Sequence, residues 1–289
     1  MRLALREARE RADFTQLQVA EAMEWSLSKV IRIENGDVSI SPNDLRPLLA
    51  HLGIRDRTVI ASMLADTRIA RTRQRQAWYQ TTEFRDQLTD SMRKLIEYEG
   101  EADEIRSYSI YYIPGPLQTT AYATALMTRY EDELSEDQRR RRIEARMLRR
   151  EALLARARGG VQFLLMLDES VLRRTIGGSR VFADQLRDLM QHAEEGTIRI
   201  RMVPFSLDAP VTNNASFDLL ALSEGEVLYR ETGLSDEMIE DREVTAKHRA
   251  RYDKVWEDVA DERDTIEFIQ RQIVILEDGT SDRPPGDNR

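Results

Sequence analysis

Apolar residues in the first 70 positions recur at three- and four-residue intervals, and the short polar links between these runs each carry a helix-start signal. Thr15 is followed three positions on by Gln18, a capping box, with Phe14 and Val19 placed as its hydrophobic staple. Ser26 is placed to cap the next helix, with Trp25 and Val30 as staple. Ser41 precedes Pro42, a cap followed by a proline at the first helical position, and Ile40 and Leu45 flank it. Asn35-Gly36 supplies a stop after the second of these three helices, because glycine accepts the left-handed geometry past a helix end. Adding a first helix over 2–12 and a fifth over 57–66, the pattern predicts an all-α N-terminal domain of five helices within residues 1–70.

The periodicity then changes. Residues 67–83 are polar and basic, and 71–83 are expected to form a linker. Between 84 and 106, Leu88, Met92, Leu95, Ile96 and Ala102 recur at helical spacing. Residues 107–113, rich in Tyr and Ile, predict a strand stopped by Pro114-Gly115-Pro116. Helices are expected over 119–131 and 135–156. Apolar runs at 161–167 and 198–203 enclose a helical stretch, 179–194, which predicts an α/β unit with adjacent strands. Residues 216–222 and 226–230 read as a hairpin around Glu224-Gly225, and two helices close the domain near Leu276. The expected fold class is therefore an N-terminal all-α helix-turn-helix domain plus a C-terminal mixed α/β (α+β) domain over 84–276. Residues 277–289 are expected to be a disordered tail.

Composition narrows the function classes. No apolar stretch approaches the roughly 18 uncharged residues of a membrane span, no signal-peptide core is present, and the chain has no cysteine. A cytoplasmic location is expected. The net charge of −9 argues against nucleic acid, yet it is unevenly spread. Residues 1–75 hold 13 Lys/Arg against 10 Asp/Glu, and the remainder carries net −12. Only the N-terminal part favours phosphate electrostatically.

Residues 16–33 fit a helix-turn-helix in spacing and residue type. Ala20 is small where the helices would meet, Val19, Met23, Val30 and Ile33 face inward, and the link is three or four residues long. The segment FTQLQVAEAMEWSLSKVIRIENG resembles the Cro/repressor (XRE) family. That resemblance implies that Gln16 and Ser26 contact phosphates, that Leu27, Ser28 and Arg32 face the major groove, and that Lys29 lies near the backbone or a base edge. Arg32 is the strongest candidate for a base, since guanidinium pairs with guanine O6 and N7. The resemblance also implies that Glu34 pairs with Arg9. Glu24 departs from the family's usual glycine, and a left-handed Glu there costs roughly 1–2 kcal/mol.

From about residue 78 the chain resembles a second family, a domain of unknown function that follows such a helix-turn-helix in many actinomycete regulators. The resemblance is carried by Trp78-Tyr79, by Ile113 to Thr119 (a PGxLQT signature with Pro116 in place of the usual leucine), by Leu167-Asp168-Glu169, by Gly177-Gly178 and by Val203-Pro204-Phe205.

No enzyme is expected. His51, His192 and His248 share no ligand spacing, Asp168-Glu169 reads as a helix cap, and no phosphate loop, nucleophile elbow or zinc motif is present. No catalytic residue, metal site or cofactor is therefore expected. The basic run of Arg139 to Arg142 with Arg146, Arg149 and Arg150 predicts a solvated, salt-bridged helix, because consecutive arginines spread around a helix and acids are interleaved; binding of an anionic ligand or extra DNA is the alternative. Tyr111, Tyr112, Gln118 and Tyr122 are the candidates for contact with a ligand or partner in the second domain. The expected function is a transcriptional regulator that binds operator double-stranded DNA as a homodimer and answers to a small-molecule effector or small partner protein. The alternative is a protein-interaction or antitoxin-like module tethered by its helix-turn-helix.

Overall fold

The computed structural model describes residues 2–36, 38–128, 132–207, 215–223, 225–231 and 236–281. Two compact units divide between Thr82 and Glu83. The N-terminal part is helical and the C-terminal part is α+β, as the pattern predicts.

The first unit contains α1 (Arg2–Arg11), α2 (Gln16–Ala22), α3 (Leu27–Glu34), α4 (Pro42–His51) and α5 (Arg57–Gln76). Thr15 and Gln18 form the complete capping box, and Ser26, Ser41 and Asp56 cap α3, α4 and α5. All three staples lie in one core with Leu5, Ile33, Leu49 and Leu64. The ends of α1, α2 and α4 close in one way: the N–H of the third residue past the helix reaches back across the turn, as in Trp25 N to Ala20 O at 2.8 Å, Phe14 N to Arg9 O at 3.1 Å and Ile54 N to Leu49 O at 2.9 Å, and α3 ends on the same left-handed geometry. Each such turn needs one left-handed residue. Gly36 and Gly53 supply it after α3 and α4, but Asp13 (φ 59°) and Glu24 (φ 55°) do so after α1 and α2. Residues 71–76, expected as linker, instead continue α5. Arg, Gln and Ala are good helix formers, and nothing in 57–76 stops the helix.

The second unit follows in the order α6 (Thr82–Arg85), α7 (Asp90–Glu99), β1 (Glu104–Ser109), α8 (Thr120–Thr128), α9 (Glu136–Arg158), β2 (Gln162–Asp168), α10 (Glu169–Arg173), α11 (Gly178–Glu194), β3 (Arg199–Val203), β4 (Ser216–Leu222), β5 (Gly225–Glu231), β6 (Asp236–Ile239), α12 (Arg242–Asp258) and α13 (Glu262–Ser281). The sheet runs β3-β2-β1-β4-β5-β6, with β1, β2 and β3 parallel and the β1–β4–β5–β6 part antiparallel. β2 lies inside the parallel half and buries five consecutive residues, as a strand covered on both faces must. Phe163, Leu165 and Leu167 join the larger core with α7 to α11 and α13, while Leu164 and Met166 pack against Tyr252 and Trp256 of α12.

Three sequence boundaries moved for identifiable reasons. The helix expected over 84–106 is cut because Thr89 caps a new helix and Gly100 ends it. The strand expected over 107–113 starts at Glu104 and stops at Ser109. There Ser109 Oγ donates to Tyr112 O at 2.6 Å and Ile110 N to Ser216 Oγ at 3.2 Å, so side chains replace the ladder and turn the chain. Residues 277–281, expected in a disordered tail, complete α13. Glu224 of the expected hairpin turn and 282–289 of the tail lie outside the described residues. Among the described residues no helix is long and apolar enough to cross a membrane.

Candidate nucleic-acid interface and ligand cavity

Helix α3 divides sharply by face. Val30, Ile33 and Glu34 are buried, whereas Leu27, Ser28 and Arg32 are exposed. Ser28 and Arg32 are four residues apart and share one face. Among the described residues no side-chain partner holds Arg32, so its five donors are open to solvent. Ser26 is exposed; its Oγ accepts from Lys29 N at 3.2 Å, which leaves its own hydroxyl proton to give. Lys29 is less free than its neighbours: Nζ lies 3.2 Å from Asp44 Oδ2 of α4 and 3.9 Å from the centre of the Trp25 ring.

The buried side of α3 is fixed to α1 and α2 by charge. Arg9 Nε donates to Glu34 Oε1 at 2.7 Å and Arg9 Nη2 to Oε2 at 3.0 Å, a bidentate pair in which Glu34 is only 5% exposed. Gln16 Nε2 donates to Glu34 Oε2 at 2.8 Å, and Arg9 Nη1 also takes Phe14 O at 2.9 Å. The hydrogen bond from Arg9 to Glu34 raises the arginine's pKa against the opposing effect of burial. Gln16, expected to be a phosphate contact, spends one amide hydrogen inside the protein on Glu34. Mechanically, this arrangement ties α1, α2 and α3 together on the buried side of α3.

The second unit holds a cavity of about 850 Å³. Sheet register lays its floor: Ser107, Asp218 and Tyr229 stand side by side on β1, β4 and β5, and Ser216 and Glu231 pair in the next row. One wall is α9, which contributes Arg142, Ala145, Arg146 and Arg149. Another is α7, with Met92 and Ile96. The expectation of a merely solvated α9 is thereby corrected. Arg142, Arg146 and Arg149 stand at i, i+4 and i+7 and share a face, although their neighbours Arg140 and Arg141 pair outward with Asp137 and Glu144.

The proline-glycine turn is built against this wall. Gln118 Nε2 donates to Ile113 O and its Oε1 accepts from Arg146 Nη1, both at 2.7 Å. A Cβ on Gly115 would lie 3.3 Å from Arg149 Nη1, so the glycine makes room for the guanidinium. Buried Gln185 of α11 clamps the same turn, donating to Leu117 O at 2.8 Å and accepting from Thr119 N at 2.7 Å. Tyr111 and Tyr112 line the cavity and are 53% and 39% exposed. Tyr122, expected with them, is fully buried in the core and accepts from Ile113 N at 3.4 Å; burial pushes its phenol up to about 12.

Arg149 and Glu99 form a buried bidentate pair at 2.7 and 2.6 Å. Burial alone would depress the Arg149 guanidinium, yet Glu99 holds it well above its ordinary value. Asp218 is raised to about 6 because it is desolvated, against the opposing pull of a Ser107 hydrogen bond and the Arg149 charge. Asp218 went unrecognised in the sequence, where α9's arginines read as a solvated, salt-bridged helix with an anionic ligand or extra DNA as the alternative. The usable signal was the seven-residue span of Arg142, Arg146 and Arg149.

Residues 1–63 match the family described as helix-turn-helix domain. Residues 92–271 match the family described as domain of unknown function (DUF5753). No curated protein matches the chain.

Proposed function

Because the chain belongs to the DUF5753 family and begins with a helix-turn-helix domain, we propose that it is a cytoplasmic transcriptional regulator of the XRE type that reads operator DNA as a homodimer and is controlled through its second domain. The observation that carries the reading is α3. Its N-terminus is capped, its inner face is locked by Arg9–Glu34–Gln16, and Leu27, Ser28 and Arg32 are left exposed on an element that fits the major groove. Lys29 and Ser26 flank that face as backbone contacts. One module of this size makes few base contacts, so two copies on half-sites about one helical turn apart supply specificity. Two further observations favour binding over catalysis: Asp168 caps α10, accepting from Ser170 N at 2.9 Å, and Glu169 is taken by Arg173 and by Phe205 N.

Selection of bound sequences from a random DNA pool by the full chain, followed by footprinting on the winner, tests this. Enrichment of a two-fold symmetric site with half-sites about 10 base pairs apart supports the reading. A pool that remains unenriched while protein is bound refutes it.

A further inference from the structure

We propose that the cavity of the second unit binds an amphipathic organic anion, its carboxylate, sulfonate or phosphate held by Arg142 and Arg146 and its apolar body set against Met92, Ile96 and Met127. The volume, about 850 Å³, suits a metabolite-sized molecule. The walls carry both signs: Asp218, Glu231 and Asp236 line the cavity beside the arginines, and Glu231 interacts electrostatically with Arg146 and Arg149. Arg149 is neutralised by Glu99, and Arg230 by Glu237. Arg142 has no counter-charge among the described residues, and its Nε is buried without a hydrogen-bond partner. A half-buried guanidinium left in that state is costly unless an anion completes it.

Position supports the same reading. Arg142 and Arg146 lie one helical turn apart on α9 and both line the cavity, so one helix face brings two guanidinium groups to it, the residue type suited to recognising an oxyanion. Gln118 and the Pro114–Gly115–Pro116 turn hold Arg146 in place before any ligand arrives, which reduces the ordering cost of binding. Ser216 and Tyr229 on the sheet floor place hydroxyls at the cavity for further polar groups of the ligand. Tyr111 and Tyr112, exposed and beside the opening turn, complete the apolar rim.

This deepens the reading of the second domain as the regulatory one, and the site and the regulation are tested apart. Two fluorescent probes share a body and differ in charge: 8-anilinonaphthalene-1-sulfonate, and N-phenyl-1-naphthylamine, which lacks the sulfonate. Titrated into the full chain, the sulfonate probe is expected to saturate at one per chain and to bind at least about tenfold tighter than the neutral one. Arg142→Gln should abolish that preference by weakening the anionic probe alone, and Ala145→Leu, which fills the cavity, should weaken both. Circular dichroism of each variant establishes that it is folded. Equal affinity for the two probes, or a preference that survives Arg142→Gln in the folded variant, overturns the site. DNA affinity with and without the sulfonate probe is a separate reading: a shift that Arg142→Gln removes supports an effector role, and no shift despite probe binding overturns the effector role while keeping the site.

Discussion

Replacing Glu34 by alanine is the sharpest perturbation of the first unit. The carboxylate is 5% exposed and accepts three hydrogen bonds, two from Arg9 and one from Gln16. Its removal leaves an arginine whose side chain is 12% exposed without its main counter-charge. Breaking a buried pair from one side costs about 3–5 kcal/mol. Here Arg9 keeps Phe14 O at 2.9 Å and a looser contact with Glu10 at 3.4 Å, which places the cost near the lower limit, about 3 kcal/mol. The assay is native-state hydrogen exchange of the full chain read by mass spectrometry. Peptides from α1 to α4 should exchange about 100-fold faster, while those of the sheet are unchanged. Arg9→Met combined with Glu34→Leu should recover most of the loss, because replacing both charges leaves neither stranded. Unchanged exchange in Glu34→Ala would show that water solvates these charges, and the account of how α3 is held would fail.

Glu24→Gly should raise the melting temperature of the first unit, gaining about 1 kcal/mol by relieving a left-handed glutamate at φ 55°; a lower melting temperature would contradict this. Asp218 carries a pH dependence. Its folded-state value, about 6, lies above the ordinary 3.8, so the folded protein holds the proton more tightly. That contribution is complete below about 4 and is lost as pH rises through 6. Between pH 5 and pH 8 it favours the acid side by about 1 kcal/mol, and urea unfolding of Asp218→Asn should show this difference removed. Gln16→Ala should speed exchange in α2, since the side chain holds Glu34, and, if Gln16 contacts phosphate as proposed, should weaken operator and random DNA alike; a change in DNA affinity alone would refute the structural role.

Local signals made the first unit legible. The caps at Thr15, Ser26 and Ser41 and the staples beside them are short-range chemistry, complete within five residues, and each helix begins where its cap stands. At Glu24 the resemblance to a family with glycine at this turn position marked the left-handed geometry, and the glutamate, which suggested an altered turn, adopts that geometry at φ 55°. At Asp13 no sequence signal marked the same geometry. In the second unit, alternation of apolar runs located β2, β3 and the β4–β5 hairpin, but β6 is a half-buried edge strand with no contrast between its faces. The cavity was less legible because its parts come from residues over a hundred positions apart. Asp218 faces Ser107 only through the antiparallel register of β4 with β1, and Arg149 finds Glu99 across 50 residues. A run of arginines looks solvated until the helix is docked, and then one side of it has a cavity to face.

Base reading by α3 through Arg32, as proposed, is tested most directly by comparing the full chain with Arg32→Ala on the selected operator and on random DNA at one salt concentration. The account predicts a loss of roughly 1–3 kcal/mol on the operator, relaxed preference at one base pair of each half-site, and little change on random DNA. Equal losses on both DNAs would make Arg32 a phosphate contact and contradict base readout by this helix.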